Sequence, residues 1–158
     1  MSVPPGMYRL RAVPNWERPP PQVGGMYATY NRAPKITLSP EGGSLRDRQL
    51  WEVLPGGEGP DTYIIKTPLI GTENQFMHNR GIQNGDPVEL GDRKAFRLER
   101  NFNLPGHPIC QILLLDVPRE IGAIHCVGTR GGDVVTKVIP MDGESEIPGW
   151  ELIPAERE

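Results

Sequence analysis

The chain has 158 residues, with 17 Lys and Arg against 20 Asp and Glu and a net charge of −3, a length that suits one domain burying roughly 70% of its unfolded surface. Both signs are interspersed, so no basic face calls for nucleic acid or an anionic membrane. Gly 19 and Pro 18 make up nearly a quarter of the residues, yet alternating apolar runs continue along the whole length, which points to a loop-rich all-β domain rather than to disorder.

The opening residues 1–7 lack the basic and apolar regions of a secretory signal, and no apolar run approaches the roughly 20 residues of a membrane span. A cytoplasmic protein is the expectation. Residues 7–13 set Tyr8, Leu10 and Ala12 in alternation with Arg9 and Arg11, a half-buried strand. Pro14, Pro19, Pro20 and Pro21, followed by Gly24 and Gly25, then forbid continued pairing and make a long, stiff, exposed loop. Strands resume at 26–31 and 35–39, a polar Gly-Gly loop spans 41–48, and a fourth strand covers 49–54. The second unit repeats the order with strands at 62–67, 75–79, 87–90 and 94–100. A loop at 68–74 and an Asn84-Gly85 turn separate its members. The third has strands at 109–116, 123–128, 134–139 and 149–154. No segment shows a helical period.

One cassette recurs at intervals of about 50 residues. It reads Leu50-Trp51-Glu52-Val53-Leu54-Pro55, then Ala95-Phe96-Arg97-Leu98-Glu99, then Gly149-Trp150-Glu151-Leu152-Ile153-Pro154. Three units of four strands, at about 1–56, 57–104 and 105–158, predict a single β-trefoil domain: a six-stranded barrel capped by a triplet of hairpins, closed against edge pairing. Trp51, Phe96 and Trp150 are its equivalent core aromatics. Tyr8, Tyr63 and Ile112 are core residues of the first strands.

Chemistry is sparse. Cys110 and Cys126 form no disulfide framework; a hairpin turning near Pro118 sets them almost opposite, and two buried free thiols are expected rather than one bridge. His78, His107 and His125 lack paired ligand spacing, and the consecutive His125 and Cys126 face opposite ways in a strand, so neither zinc nor a Cys-His nucleophile is indicated. No serine-nucleophile, phosphate-loop or dinucleotide motif occurs, and no acid/base pair stands out. The expectation is a binding protein without cofactor or metal, not an enzyme, with its function on loops held by a rigid barrel.

Gly6-Met7-Tyr8-Arg9-Leu10, Val23-Gly24-Gly25-Met26-Tyr27-Ala28, Trp51 and the strand Thr62-Tyr63-Ile64-Ile65 resemble the mycocypins, mushroom β-trefoil inhibitors of cysteine proteases. The pattern is nearer macrocypin than clitocypin and strongest over the first half. The resemblance implies a non-covalent plug of papain-like proteases, in which the loops after the first and third strands enter the cleft beside the catalytic cysteine. Carried onto this sequence, the first loop supplies Pro21, Gln22, Val23, Gly24 and Gly25, and the second Gly42, Gly43 and Ser44. The family also implies a legumain-reactive asparagine between the fifth and sixth strands, here Asn74, within a local pattern that departs from macrocypin.

Two alternatives keep the same scaffold. Gln49-Leu50-Trp51 fits the Gln-x-Trp signature of trefoil lectins, although Lys94-Ala95-Phe96 and Pro148-Gly149-Trp150 do not, so a carbohydrate partner belongs to that reading. A serine or aspartic protease inhibitor is the other, with Arg46 or Arg48 as an exposed primary-site residue for a serine enzyme.

Overall fold

The computed structural model describes residues 3–21, 24–30, 34–68, 75–117 and 122–155, the side chains of Ser44 and Leu45 excepted. The strands are β1 (Gly6–Val13), β2 (Met26–Tyr30), β3 (Ile36–Pro40), β4 (Trp51–Pro55), β5 (Thr62–Lys66), β6 (Phe76–Asn79), β7 (Val88–Gly91), β8 (Ala95–Arg100), β9 (Ile109–Leu114), β10 (Ala123–Arg130), β11 (Asp133–Pro140) and β12 (Gly149–Pro154). Each coincides with a run of alternating or continuously apolar residues between glycine- or proline-bearing turns, the pattern of half-buried and buried strands.

Antiparallel pairings close the sheet into a barrel. Tyr8 on β1 lies opposite Trp51 on β4, Val53 opposite Ile65 on β5, and Tyr63 opposite Phe96 on β8. Leu98 then faces Ile112 on β9, Cys110 faces Trp150 on β12, and Leu152 returns to Leu10 on β1. The other strands form the hairpins β2–β3, β6–β7 and β10–β11. These touch one another through Lys35 and Glu89, Pro87 and Val135, and Asp133 and Thr37. Closure leaves the ring strands no free edge to aggregate. Among the described residues no helix is long and apolar enough to cross a membrane.

Trp51, Phe96 and Trp150 are at most 1% exposed in one apolar cluster with Tyr8, Tyr63 and Ile112. Aromatic side chains each remove about 150–250 Å² from water, on the order of 4–6 kcal/mol before entropy is counted. The two indoles also donate inward, Trp51 Nε1 to the Ala28 carbonyl at 3.0 Å and Trp150 Nε1 to the Val127 carbonyl at 2.9 Å. In both bonds donor and acceptor are 23 residues apart in sequence. The tryptophans of two of the three cassettes therefore do the same work, while Phe96 fills its place by size alone.

Three expectations need correction. Residues 43–49 are not an irregular loop but a 3₁₀ helix, Gly43–Gln49, too short and too locally bonded to leave an apolar period. Cys110 and Cys126 are buried and free but not opposite each other. Cys126 faces Leu113, three residues along β9, and Cys110 faces Trp150 and Arg100. The two thiols consequently sit in different apolar clusters, because register follows the buried pattern of each pair rather than the midpoint of the connection. Finally, Arg11 does not alternate outward: it is 5% exposed.

Candidate functional site

The first long loop, residues 14–25, is half anchored and half presented. Asn15 Oδ1 accepts the Glu17 N–H at 2.9 Å, an Asx turn. Trp16 is fixed through its N–H to the Ile147 carbonyl and through its carbonyl to Asn101 Nδ2. Beyond this anchor Pro21, Gly24 and Gly25 are exposed; Gln22 and Val23 lie outside the described residues. Gly24 has φ 84° with open space where a Cβ would stand, so backbone conformation alone demands glycine there. Gly25, at φ 105°, is demanded twice over, since its Cβ would fall on the Nε of Arg11.

The second loop follows β3. Gly42 and Gly43 take φ 103° and 62° and lead into the 3₁₀ helix. Gln49 closes it. Its amide Nε2 reaches the Pro40 carbonyl at 2.8 Å, the Ser39 carbonyl at 3.3 Å and Thr29 Oγ1 at 3.2 Å, while Oε1 accepts the Gly42 N–H at 3.3 Å. Tyr30 donates its hydroxyl to the Asp47 carbonyl at 2.8 Å. Glu41 and Gly43 are exposed, and nothing is described of the Ser44 side chain.

The two loops meet at one end of the β2–β3 hairpin. Met26 is paired with Pro40, so Gly25, just before β2, and Glu41, just after β3, leave the sheet side by side. Between them lies a cleft of about 470 Å³ bordered by Gly24, Gly25, Pro40, Glu41 and His107, with Arg11 and Glu151 also lining it. Arg11 Nη1 binds Glu151 Oε1 at 3.2 Å, and His107 Nδ1 stands 3.6 Å from the other oxygen. Burial, then the Glu41 carboxylate, push the phenol of Tyr27 in the same cleft above its ordinary value. Arg11 is the residue that sequence reasoning missed. Its position in an alternating strand gave the opposite signal, and only the charge of Glu151 in the third cassette hinted at a partner.

The third loop leaves β5 where Lys66 faces Glu52 near the start of β4, the end of β4 that the second loop enters. A bond from the Thr67 N–H to the Gln75 carbonyl at 2.9 Å closes its base. Asn74 lies outside the described residues. Arg46 is exposed and Arg48 half-buried.

Little here can perform covalent chemistry. Burial pushes the thiols of Cys110 and Cys126 up to about 12, leaving almost no thiolate near neutrality. Among the described residues no three His, Cys, Asp or Glu side chains cluster as metal ligands. What the site offers is two glycine-bearing backbone projections set side by side, a geometry for covering something.

A family model described as peptidase inhibitor clitocypin matches residues 6–152. The chain belongs to the clitocypin family. Clitocypin-5 of Clitocybe nebularis is 32% identical over 153 residues, covering 96% of this chain and 97% of that one. Clitocypin-2 of the same fungus is 32% identical over 155 residues with the same coverage, and Clitocypin is 30% identical over 151. As a clitocypin-family chain it is a peptidase inhibitor and not an enzyme. The match runs past both loops into β12, so the likeness is not confined to the first half. Among solved structures, SeviL bound to asialo-GM1 saccharide superposes with a TM-score of 0.59 over 97% of this chain and 100% of that one, at 20% identity, a likeness of fold alone. Gln49, the lectin signature's first residue, is fully buried in this clitocypin-family chain and spends its amide on the second loop.

Proposed function

We propose that the chain is a reversible, non-covalent inhibitor of papain-like cysteine proteases, built as a single β-trefoil domain over residues 1–158. The closed ring of pairings, the three hairpins and the matched indole bonds support that scaffold, with units at about 1–56, 57–104 and 105–158. The observation that carries the inhibitory reading is the pairing of Met26 with Pro40, which brings the bases of the two glycine loops together. Pro21, Gln22, Val23, Gly24 and Gly25 from one loop, and Gly42, Gly43 and Ser44 from the other, cover the nucleophile from two sides. Glycines without side chains allow the close approach, and no scissile carbonyl is offered in attack geometry. Asn74 in the third loop is the reactive residue for a second target, legumain. The two free, buried thiols support a reducing, cytoplasmic compartment.

Titration against a panel of papain, legumain, trypsin and pepsin tests this reading. Tight, reversible inhibition of papain is expected, with trypsin and pepsin unaffected; inhibition of trypsin alone moves the assignment to Arg46 or Arg48. A glycan array addresses the carbohydrate reading, which the likeness to SeviL motivates and the engagement of Gln49 opposes. Specific sugar binding without protease inhibition would replace the conclusion.

A further inference from the structure

Glu151, Arg11 and Tyr27 are direct cross-strand neighbours on β12, β1 and β2. Residues so placed on one face lie within reach of each other, and here Glu151 holds Arg11. Arg11 is ion-paired to Glu151 at side-chain exposures of 6% and 12%, while its Nη2 has no hydrogen-bond partner among the described residues. The guanidinium end runs directly beneath Gly25, close enough that any Cβ there would overlap Nε and crowd Cζ and Cδ. It also walls a second cleft, of about 570 Å³, on the side of Met26, Leu38, Ile139 and Trp150. A flat charged group thus fills the space under the loop, with clefts bordering it. An ion pair this buried adds little net stability compared with apolar residues of the same size, so its presence under an exposed glycine turn calls for another role.

We propose that Arg11 is a positioning residue for inhibition: its guanidinium, held by Glu151, is the seat on which the Gly24-Gly25 turn is preorganised before it meets the protease. The inference rests on the loop assignment made above. A turn without side chains has almost no contacts of its own to fix it, and glycine gains the most freedom when released. An ordered loop binds faster and tighter because less conformational freedom is lost on association. Tyr27, Glu41 and His107 are the other charged or titratable groups lining the cleft of about 470 Å³ beside the turn.

The test compares the full chain with Arg11→Met/Glu151→Met, which removes both charges and strands neither, and with Arg11→Lys, which keeps the pair but not the flat group. The expected result for the double variant is an unchanged fold by circular dichroism and a papain inhibition constant raised at least tenfold. That loss falls mainly in the association rate, with faster amide exchange at Gly24, Gly25 and Met26. Arg11→Lys recovers only part of it. A folded double variant with wild-type inhibition and wild-type exchange overturns the proposal. Should the double variant unfold, Glu151→Gln, which keeps size and an acceptor, is held to the same two readouts. If the unmodified chain fails to inhibit papain, the functional reading falls by itself, and exchange at residues 24–26 alone decides whether Arg11 orders the turn.

Discussion

The side-chain amide of Gln49 donates to the carbonyl oxygen of Pro40 at 2.8 Å, tying the last residue of the 3₁₀ helix back to the end of β3. Both polar atoms of that amide are bonded, Nε2 to β2 and β3 and Oε1 to the Gly42 N–H. Gln49→Leu keeps the approximate volume and leaves the Pro40 carbonyl and the Gly42 N–H unmet, a loss of about 1–3 kcal/mol. Denaturant unfolding should show it as a shifted midpoint. Papain inhibition should weaken at temperatures where the variant is still folded, because the second loop loses its closure; wild-type inhibition would show that the loop is held by other means.

Gly24 stands in open space at φ 84°. Gly24→Arg places a long side chain on the presented surface and costs on the order of 1–2 kcal/mol of backbone strain. The fold should survive, and the papain inhibition constant should rise at least tenfold, or about 1.4 kcal/mol. An unaltered constant in a folded Gly24→Arg protein would remove the first loop from the interface.

Asn74 is the residue proposed above for a separate target. Asn74→Ala should abolish any legumain inhibition and leave papain inhibition within twofold of the unmodified chain. Joint loss of both activities would mean that the two sites are one.

Trp51 and Trp150 each combine volume with an inward hydrogen bond, whereas Phe96 in the second cassette does without the bond. Trp51→Phe and Trp150→Phe should each destabilise the fold by about 1–3 kcal/mol, the cost of a smaller ring and an unmet carbonyl. Thermal unfolding measures this directly. Inhibition at low temperature should be unchanged, since neither indole reaches the loops' exposed surface.

Alkali should unfold the protein through its buried acids. The thiols of Cys110 and Cys126 keep their protons up to about 12, against an ordinary value of 9.0. Between those limits the native state binds more protons than the unfolded chain, so stability is complete below about pH 9 and declines as pH rises toward 12. Tyr8, Tyr27 and Tyr30, raised chiefly by burial, act in the same direction. Urea midpoints should hold from pH 7 to about 9 and fall from there to pH 11, and thiol reagents at pH 8 should label neither cysteine until the chain unfolds.

Much of the fold was legible because strand periodicity is local. Tyr8, Leu10, Tyr63, Ile65 and the cassette aromatics announce themselves by alternation, and the Pro and Gly runs mark where pairing must stop. What failed was pair-specific. The 3₁₀ helix Gly43–Gln49 depends on one glutamine reaching three backbone partners, which no periodicity encodes. The opposition of Cys110 and Cys126 assumed a symmetric hairpin, but Leu113 is the residue whose burial suits Cys126.

The sequence by itself determined an all-β chain carrying three like cassettes and the two glycine loops, since side-chain alternation and the conformational needs of Gly and Pro act over a few residues. Only the tertiary structure decided that those loops stand side by side, through Met26 and Pro40, and that an arginine lies beneath one of them. Arg11 is an outward-reading residue of a half-buried strand until β12 brings Glu151 beside it. The energy of a buried charge depends on a partner 140 residues away, and no local pattern carries that distance.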